Sequence, residues 1–85
     1  MYDVNNVTKA TILQSPDRWP WNIVLRLHQF SCKELLVVRE YCDVWDIVRF
    51  QSSASYDFIV HYFKEEVDQS DMLDWHDVIV LTRNR

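Results

Sequence analysis

Short stretches rich in apolar residues recur along the chain, and we predict that they form β-strands. Residues 22–29 are the clearest case, because Ile23, Leu25 and Leu27 fall on one side of an extended segment and mostly polar residues fall on the other. Residues 7–13, 45–51 and 78–82 are also predicted as strands, the last lying centrally because its apolar run is continuous. Residues 15–21 are predicted as a loop, since Pro16 and Pro20 interrupt regular pairing.

The strongest local signal predicts a helix that begins at Cys32. Ser31 and Glu34 match a capping box, in which each side chain accepts a hydrogen bond from the backbone of the other residue. Phe30 and Leu35 occupy the two positions of a hydrophobic staple. The helix is expected to run to about residue 41 or 42.

Residues 56–63 fit two structures. Their aromatic and β-branched side chains favour a strand. The spacing of Ile59, Phe63 and Val67 fits a helix capped by Ser55. We prefer the strand because residues 52–55 suit a hairpin loop, although periodicity leaves both structures open.

These elements predict one α+β domain over residues 1–85. We expect a small, mainly antiparallel sheet of four to five strands packed on one or two helices, with residues 65–77 as a loop or short helix. The chain shows no internal repeat, linker or low-complexity segment.

The amino-acid composition excludes several kinds of functional site. The chain has 85 residues, of which 48% are hydrophobic, so it can bury one core. Glycine is absent, which excludes glycine-rich phosphate loops, nucleophile elbows and EF-hand loops. The polar residues 1–6 do not resemble a signal peptide, and no apolar run approaches the roughly 20 residues of a membrane span. With only two cysteines, Cys32 and Cys42, a cytoplasmic location is expected.

Negative charge is concentrated in the C-terminal half. The net charge is −4, and residues 43–85 carry nine acids against four Lys/Arg. Residues 65–77 hold six carboxylates and no Lys or Arg: Glu65, Glu66, Asp68, Asp71, Asp74 and Asp77. On a helix the last four would form a ridge that attracts a basic partner by imitating a nucleic-acid backbone. The alternative is a solvated face that keeps the protein soluble.

A proline-stiffened loop offers a second candidate contact. Arg18, Trp19 and Trp21 have the composition of an interface hot spot. The alternative is that the Trp rings cover the core. Together with Arg26 and His28 they could form a nucleic-acid-binding strip, which the net charge disfavours.

The sequence gives only weak support for a catalytic or metal-binding site. The candidates are a nucleophile from Cys32 or Cys42 with His28 or His61, a zinc site from His28, Cys32 and Cys42, and a cation site from Asp71, Asp74, His76 and Asp77. None follows an established spacing. We therefore predict no catalytic residue, no metal and no cofactor, and a metal-dependent or cysteine hydrolase is the least favoured function.

The sequence thus predicts a non-enzymatic protein-binding module, an inhibitor or regulator. Its partner would present a basic surface, as nucleic-acid-handling proteins do, with no direct nucleic-acid or membrane contact. In small size and acidity the chain is similar to phage-encoded inhibitors, including anti-CRISPR proteins, which would imply the host cytoplasm. The alternative is a structural subunit or homodimer that associates through an exposed sheet edge or aromatic patch.

Overall fold

Seven short α-helices make up the chain in the computed structural model, which describes Val4, residues 6–83 and Arg85. The helices are α1 (Lys9–Gln14), α2 (Trp21–Leu27), α3 (Cys32–Val37), α4 (Val44–Phe50), α5 (Tyr56–Tyr62), α6 (Lys64–Gln69) and α7 (Trp75–Thr82). Two 3₁₀ turns, Pro16–Arg18 and Arg39–Tyr41, follow α1 and α3. Residues 1–3 and 5, part of the segment judged not to be a signal peptide, lie outside the described residues.

The predicted α+β fold is wrong, because the described part of the chain contains helices and no strand. The segments predicted as strands at residues 7–13, 22–29, 45–51, 56–63 and 78–82 cover most of α1, α2 and α4, all of α5 and part of α7. In α2, Leu25 is fully buried, whereas Ile23 and Leu27 are 45% and 47% exposed. The apparent strand face is therefore split between core and surface, and packing overrides the β-propensity of the segment.

The helix alternative for residues 56–63 is confirmed. Ser55 caps α5 by accepting a hydrogen bond from the backbone N–H of Phe58 at 3.2 Å, and Ile59 and Phe63 are buried. Residues 52–55 therefore join two helices, and the predicted hairpin is absent. Residues 65–77 hold most of α6, a connection and the first turn of α7, so their carboxylates do not form one helical ridge.

The capping box at Ser31 is confirmed. Its hydroxyl accepts from the N–H of Glu34 at 3.3 Å, and its own N–H donates to the Glu34 carboxylate at 2.8 Å. Phe30 and Leu35 are both buried, as a staple requires. The helix begins at Cys32 as predicted but ends at Val37, and a 3₁₀ turn continues to residue 41.

The way the helices end explains how the chain does without glycine. No described residue has a positive φ. His28, Gln51 and Ser70, which follow α2, α4 and α6, have extended backbones in place of the left-handed conformation that favours glycine.

Three helical units repeat along the described part of the chain, and the sequence interpretation missed this repeat. Units 1 and 2 are the pairs α1–α2 and α3–α4, and unit 3 runs from α5 to α7 with α6 between them. Each unit opens with an apolar residue, a hydroxyl N-cap and a buried apolar residue four positions after the cap. The sets are Val7, Thr8 and Ile12; Phe30, Ser31 and Leu35; and Ala54, Ser55 and Ile59. The last helix of each unit carries a Trp three positions before a buried Val: Trp21 and Val24, Trp45 and Val48, Trp75 and Val78.

The three Trp helices, α2, α4 and α7, pack in chain order. α4 contacts both α2 and α7, and one buried apolar cluster runs from Val4 to Val78. The molecule measures 36 × 24 × 19 Å along its principal axes. This arrangement is that of a short helical solenoid, in which each unit stacks on its neighbour.

A fully buried side chain, that of Gln51, joins unit 2 to unit 1. Its Nε2 donates to the carbonyl oxygens of Leu25 and His28, both at 2.8 Å. Its Oε1 accepts from the backbone N–H of Phe30 at 2.8 Å. One side chain therefore satisfies three backbone groups where unit 1 ends and unit 2 begins.

Gln29 makes the reciprocal hydrogen bonds, to the backbone on both sides of Gln51. Its Nε2 donates to the carbonyl oxygen of Phe50 at 2.6 Å, and its Oε1 accepts from the N–H of Ser52 at 2.9 Å. We call Gln29 and Gln51 together the glutamine clasp. Each side chain binds the backbone next to the other, so the clasp fixes the ends of α2 and α4 relative to each other.

Unit 3 is joined to unit 2 in a similar way. The Arg85 guanidinium donates to the carbonyl oxygens of Arg49 at 3.3 Å and Ala54 at 3.2 Å. Arg49 lies four residues after Trp45, as Leu25 lies four residues after Trp21. The equivalent carbonyl groups of units 1 and 2, those of Leu25 and Arg49, are thus each bound by a side chain from the following unit.

Replacing Gln51 with Met is expected to destabilise the fold by about 3 kcal/mol or more, because each buried backbone group left unsatisfied costs about 1–3 kcal/mol. Gln29→Met is the matched control. Gln29 is exposed, so water can replace its hydrogen bonds and the loss should stay below about 1 kcal/mol. Urea denaturation of both variants measures the difference. Equal losses, or a neutral Gln51→Met, would show that the clasp does not hold the units.

Candidate functional site

A groove of about 870 Å³ crosses all three units. It lies along α2, the start of α4 and the connection between α6 and α7. The lining residues are Asn22, Arg26, Glu40, Tyr41, Cys42, Asp43, Val44, Trp45, Asp46, Glu66, Gln69, Ser70, Asp71 and Met72. Packing of the Trp helices therefore brings together residues that are far apart in the sequence.

The groove is strongly acidic. Its lining includes five carboxylates, those of Glu40, Asp43, Asp46, Glu66 and Asp71. Arg26 is the one Lys or Arg among these lining residues, and its guanidinium lies 4.9 Å from the centre of the Phe50 ring. Such an excess of one charge in a cleft concentrates the field and attracts cations. We call this feature the acidic groove.

Asp46 is the most buried carboxylate of the acidic groove, with 9% of its surface exposed. Burial raises its pKa, and the charge of Asp43 raises the pKa further, while the Arg26 guanidinium acts in the opposite direction. Asp46 lies in the first turn of α4, where the helix dipole favours a negative charge. A carboxylate is thus held in the groove although burial disfavours its ionised form.

Cys42, beside Asp46, is not prepared for nucleophilic attack. Burial, and secondarily the charge of Asp46, raise the pKa of its thiol to about 12. The thiolate is the reactive form of cysteine, and almost none is present at neutral pH.

Two other residues of the weak catalytic and zinc candidates, Cys32 and His28, have structural partners. The Cys32 thiol donates to the carbonyl oxygen of Ser53 at 3.3 Å, and both cysteines are free. His28 Nε2 lies 2.7 Å from the carbonyl oxygen of Val4. Within the described residues, no group of three or more His, Cys, Asp or Glu side chains is arranged to hold a metal ion.

The six carboxylates predicted to bind a partner lie in different places on the structure. Glu66 and Asp71 line the acidic groove, and Glu66 also pairs with Arg39 at 2.6 Å. Glu65 and Asp68 border a separate depression. Asp68 also accepts a hydrogen bond from the Trp75 indole at 2.8 Å.

The side chains of Asp74 and Asp77 accept hydrogen bonds from backbone N–H groups. They form a capping box at the start of α7, where the N–H of Asp77 donates to the Asp74 carboxylate at 2.8 Å. Asp77 also lines a cavity next to α4. Helix capping therefore explains why acidic residues occur at these two positions.

The predicted Trp loop contributes to the core. Trp19 and Trp21 are 8% and 5% exposed, and only Arg18 of the three predicted residues is on the surface. The Trp21 indole N–H donates to the carbonyl oxygen of Pro16 at 2.6 Å, and its ring centre is 5.7 Å from that of Phe30. The exposed apolar side chains of the acidic groove are instead Tyr41 and Met72.

The sequence interpretation missed most of the acidic groove. Glu40, Asp43 and Asp46 recur every third residue, a visible signal that the larger acidic run at residues 65–77 obscured. Tyr41 and Met72 carried no comparable signal.

No helix of the described part has the length and apolar character needed to cross a membrane. Comparison with known proteins found no matching family model, curated protein or solved structure. The acidic groove is therefore interpreted from its own geometry.

Asp46→Asn is expected to stabilise the protein at pH 7. Because the folded-state pKa of Asp46 is raised, its contribution to stability is present below the unfolded pKa of about 3.9 and is lost as the pH rises through the folded value. Thermal melts at neutral and acidic pH should therefore show a gain in Tm that vanishes in acid. Asp57→Asn, at an exposed position in the first turn of α5, is the control and should give no such gain. A lower Tm for Asp46→Asn at pH 7 would contradict this assignment.

Proposed function

We propose that this chain is a non-enzymatic protein-binding module whose acidic groove takes a basic, extended segment of a partner protein. The observation that carries the proposal is the gathering of five carboxylates from separate parts of the sequence around one groove. Helical repeats commonly bind extended segments along surfaces that cross several units.

The chemistry of the acidic groove favours arginine and lysine side chains. A guanidinium can bind a carboxylate through two parallel hydrogen bonds, which gives orientation as well as attraction. Tyr41 and Met72 are 40% and 76% exposed, and they offer apolar surface to the aliphatic stems of such side chains. The groove thus combines charge with a pliable apolar contact.

The position of Asp46 supports a binding role. A buried carboxylate with a raised pKa lowers stability at neutral pH, and functional sites are where such costs are commonly retained. A cationic partner would lower that cost by adding positive charge to that of Arg26.

A non-enzymatic role as inhibitor or regulator agrees with the unreactive Cys42 thiol. Proteins that handle nucleic acids carry basic segments, and an acidic groove competes with phosphate for them. We therefore propose this class as the partner. The two free cysteines support a reducing compartment such as the cytoplasm.

The test uses fluorescein-labelled nona-arginine as the probe, measured by fluorescence anisotropy. The variant Glu40→Gln/Asp46→Asn/Asp71→Asn removes three charges and keeps Asp43, the N-cap of α4. Two of these carboxylates, Glu40 and Asp71, are exposed, and Asp46 is buried. Loss of the three charge pairs, at up to about 1 kcal/mol each, should together raise Kd about tenfold or more. Binding to the unaltered chain should weaken when NaCl rises from about 50 to about 300 mM, since salt screens surface charge.

The control variant Asp57→Asn/Glu65→Gln/Asp68→Asn has the same net charge, and its carboxylates lie outside the acidic groove. It should change Kd by less than about twofold, because exposed carboxylates that do not line the groove make no direct pair with the bound probe and salt screens their charge. Equal losses in the two variants would mean that only overall charge attracts the probe. Such a result would overturn the acidic groove as the binding site.

A further inference from the structure

A second cavity, of about 300 Å³, lies next to the acidic groove. It is formed by α4, α7 and the connection that precedes α7. Its apolar lining consists of Trp45, Met72, Leu73, Val80 and Leu81. Trp45 and Met72 also line the acidic groove, so the two depressions meet at these residues. We call the smaller one the apolar cavity.

The apolar cavity differs from the acidic groove in charge. Its polar lining is Arg49, His76 and Asp77, with one Arg against one Asp, whereas the acidic groove has five carboxylates and one Arg. The Asp77 carboxylate belongs to the capping box of α7, and the Arg49 guanidinium lies 4.6 Å from the centre of the Trp45 ring. A cationic side chain in the apolar cavity would meet this guanidinium. Charge therefore favours cations in the acidic groove and gives them no advantage in the apolar cavity.

Apolar surface is exposed where the two depressions meet. Met72 is 76% exposed, Val80 is 45% exposed, and Trp45 is half-buried. A Trp ring offers a large apolar area, and the flexible Met side chain adapts to the shape of what it contacts. An apolar side chain that covered these residues would gain hydrophobic free energy, which the carboxylates of the acidic groove do not supply.

We propose that the apolar cavity takes one apolar side chain, such as that of Leu, from the same basic segment that the acidic groove binds. The inference rests on the proposed function, because the carboxylates hold the segment beside the cavity. The segment that fits is basic and carries an apolar residue at the position that reaches Trp45 and Met72. Specific interfaces commonly have an apolar anchor inside a polar rim. Such an anchor would distinguish among basic segments that the carboxylates alone attract equally.

Isothermal titration calorimetry with arginine-rich peptides tests this inference. Each Leu peptide contains nine Arg residues and one Leu, placed at the start, middle or end so that both directions of the bound segment are covered. The matched Ser peptides have Ser at the same position and therefore the same charge. Partial burial of the Leu side chain should make at least one Leu peptide bind about fivefold more tightly than its Ser counterpart.

Two neighbouring residues of α7 provide a matched pair of variants. Val80 lines the apolar cavity, whereas Ile79, which is 46% exposed, borders a different depression. Neither is among the residues that line the acidic groove. Val80→Gln should reduce the preference for Leu to below about twofold, because it places a polar amide in the cavity wall. Ile79→Gln should keep the fivefold preference, and both variants should bind nona-arginine as the unaltered chain does.

Three results would overturn the proposal. Equal Kd values for every Leu peptide and its Ser counterpart, with nona-arginine bound in the acidic groove, would remove the apolar cavity and leave the proposed function standing. A preference for Leu that survives Val80→Gln would place the Leu side chain elsewhere on the protein. Failure of nona-arginine to bind would overturn the proposed function and this inference with it, so the two failures are distinguishable.

Discussion

The buried amide of Gln51 is the interaction on which the rest of the structure depends. α2 ends without a left-handed residue, so its last carbonyl groups need partners from elsewhere. Gln51 supplies two donors to them and accepts the N–H of Phe30, which precedes the cap of α3. Removing this one side chain would leave both sides of the junction between units 1 and 2 with unsatisfied buried groups.

The acidic groove is a consequence of this stacking. With α2 and α4 fixed against each other, Arg26 of unit 1 faces Asp46 of unit 2. Contact between α4 and α7 brings the connection before α7 to the same place, with Asp71 and Met72. Local sequence supplies each carboxylate, but only the packing of units gathers them into one field. Binding in the acidic groove therefore depends on the stacking of the units.

Helix-capping motifs predicted secondary structure correctly from the sequence, whereas the alternation of apolar and polar residues did not. Ser31 with Glu34 predicted the start of α3, and Ser55 indicated the helix that was left open at α5. Alternation failed at α2, where Ile23 and Leu25 were predicted to share one face of a strand. Packing of the neighbouring helices buries Leu25 and leaves Ile23 exposed. The acidic groove was out of reach for the same reason, since it depends on contacts between units. The repeat was visible, in hydroxyl caps at residues 8, 31 and 55, and it would have predicted a helical fold.

Amide hydrogen exchange at Phe30 and Ser52 shows directly whether the glutamine clasp forms. Neither residue lies in a helix, and their N–H groups donate to the side-chain oxygens of Gln51 and Gln29. With the clasp formed, Phe30, which is buried, should exchange as slowly as the helical amides of α4, and Ser52 should be slowed to a lesser extent. Exchange at both amides as fast as in an unstructured chain would contradict the glutamine clasp and the stacked units built on it.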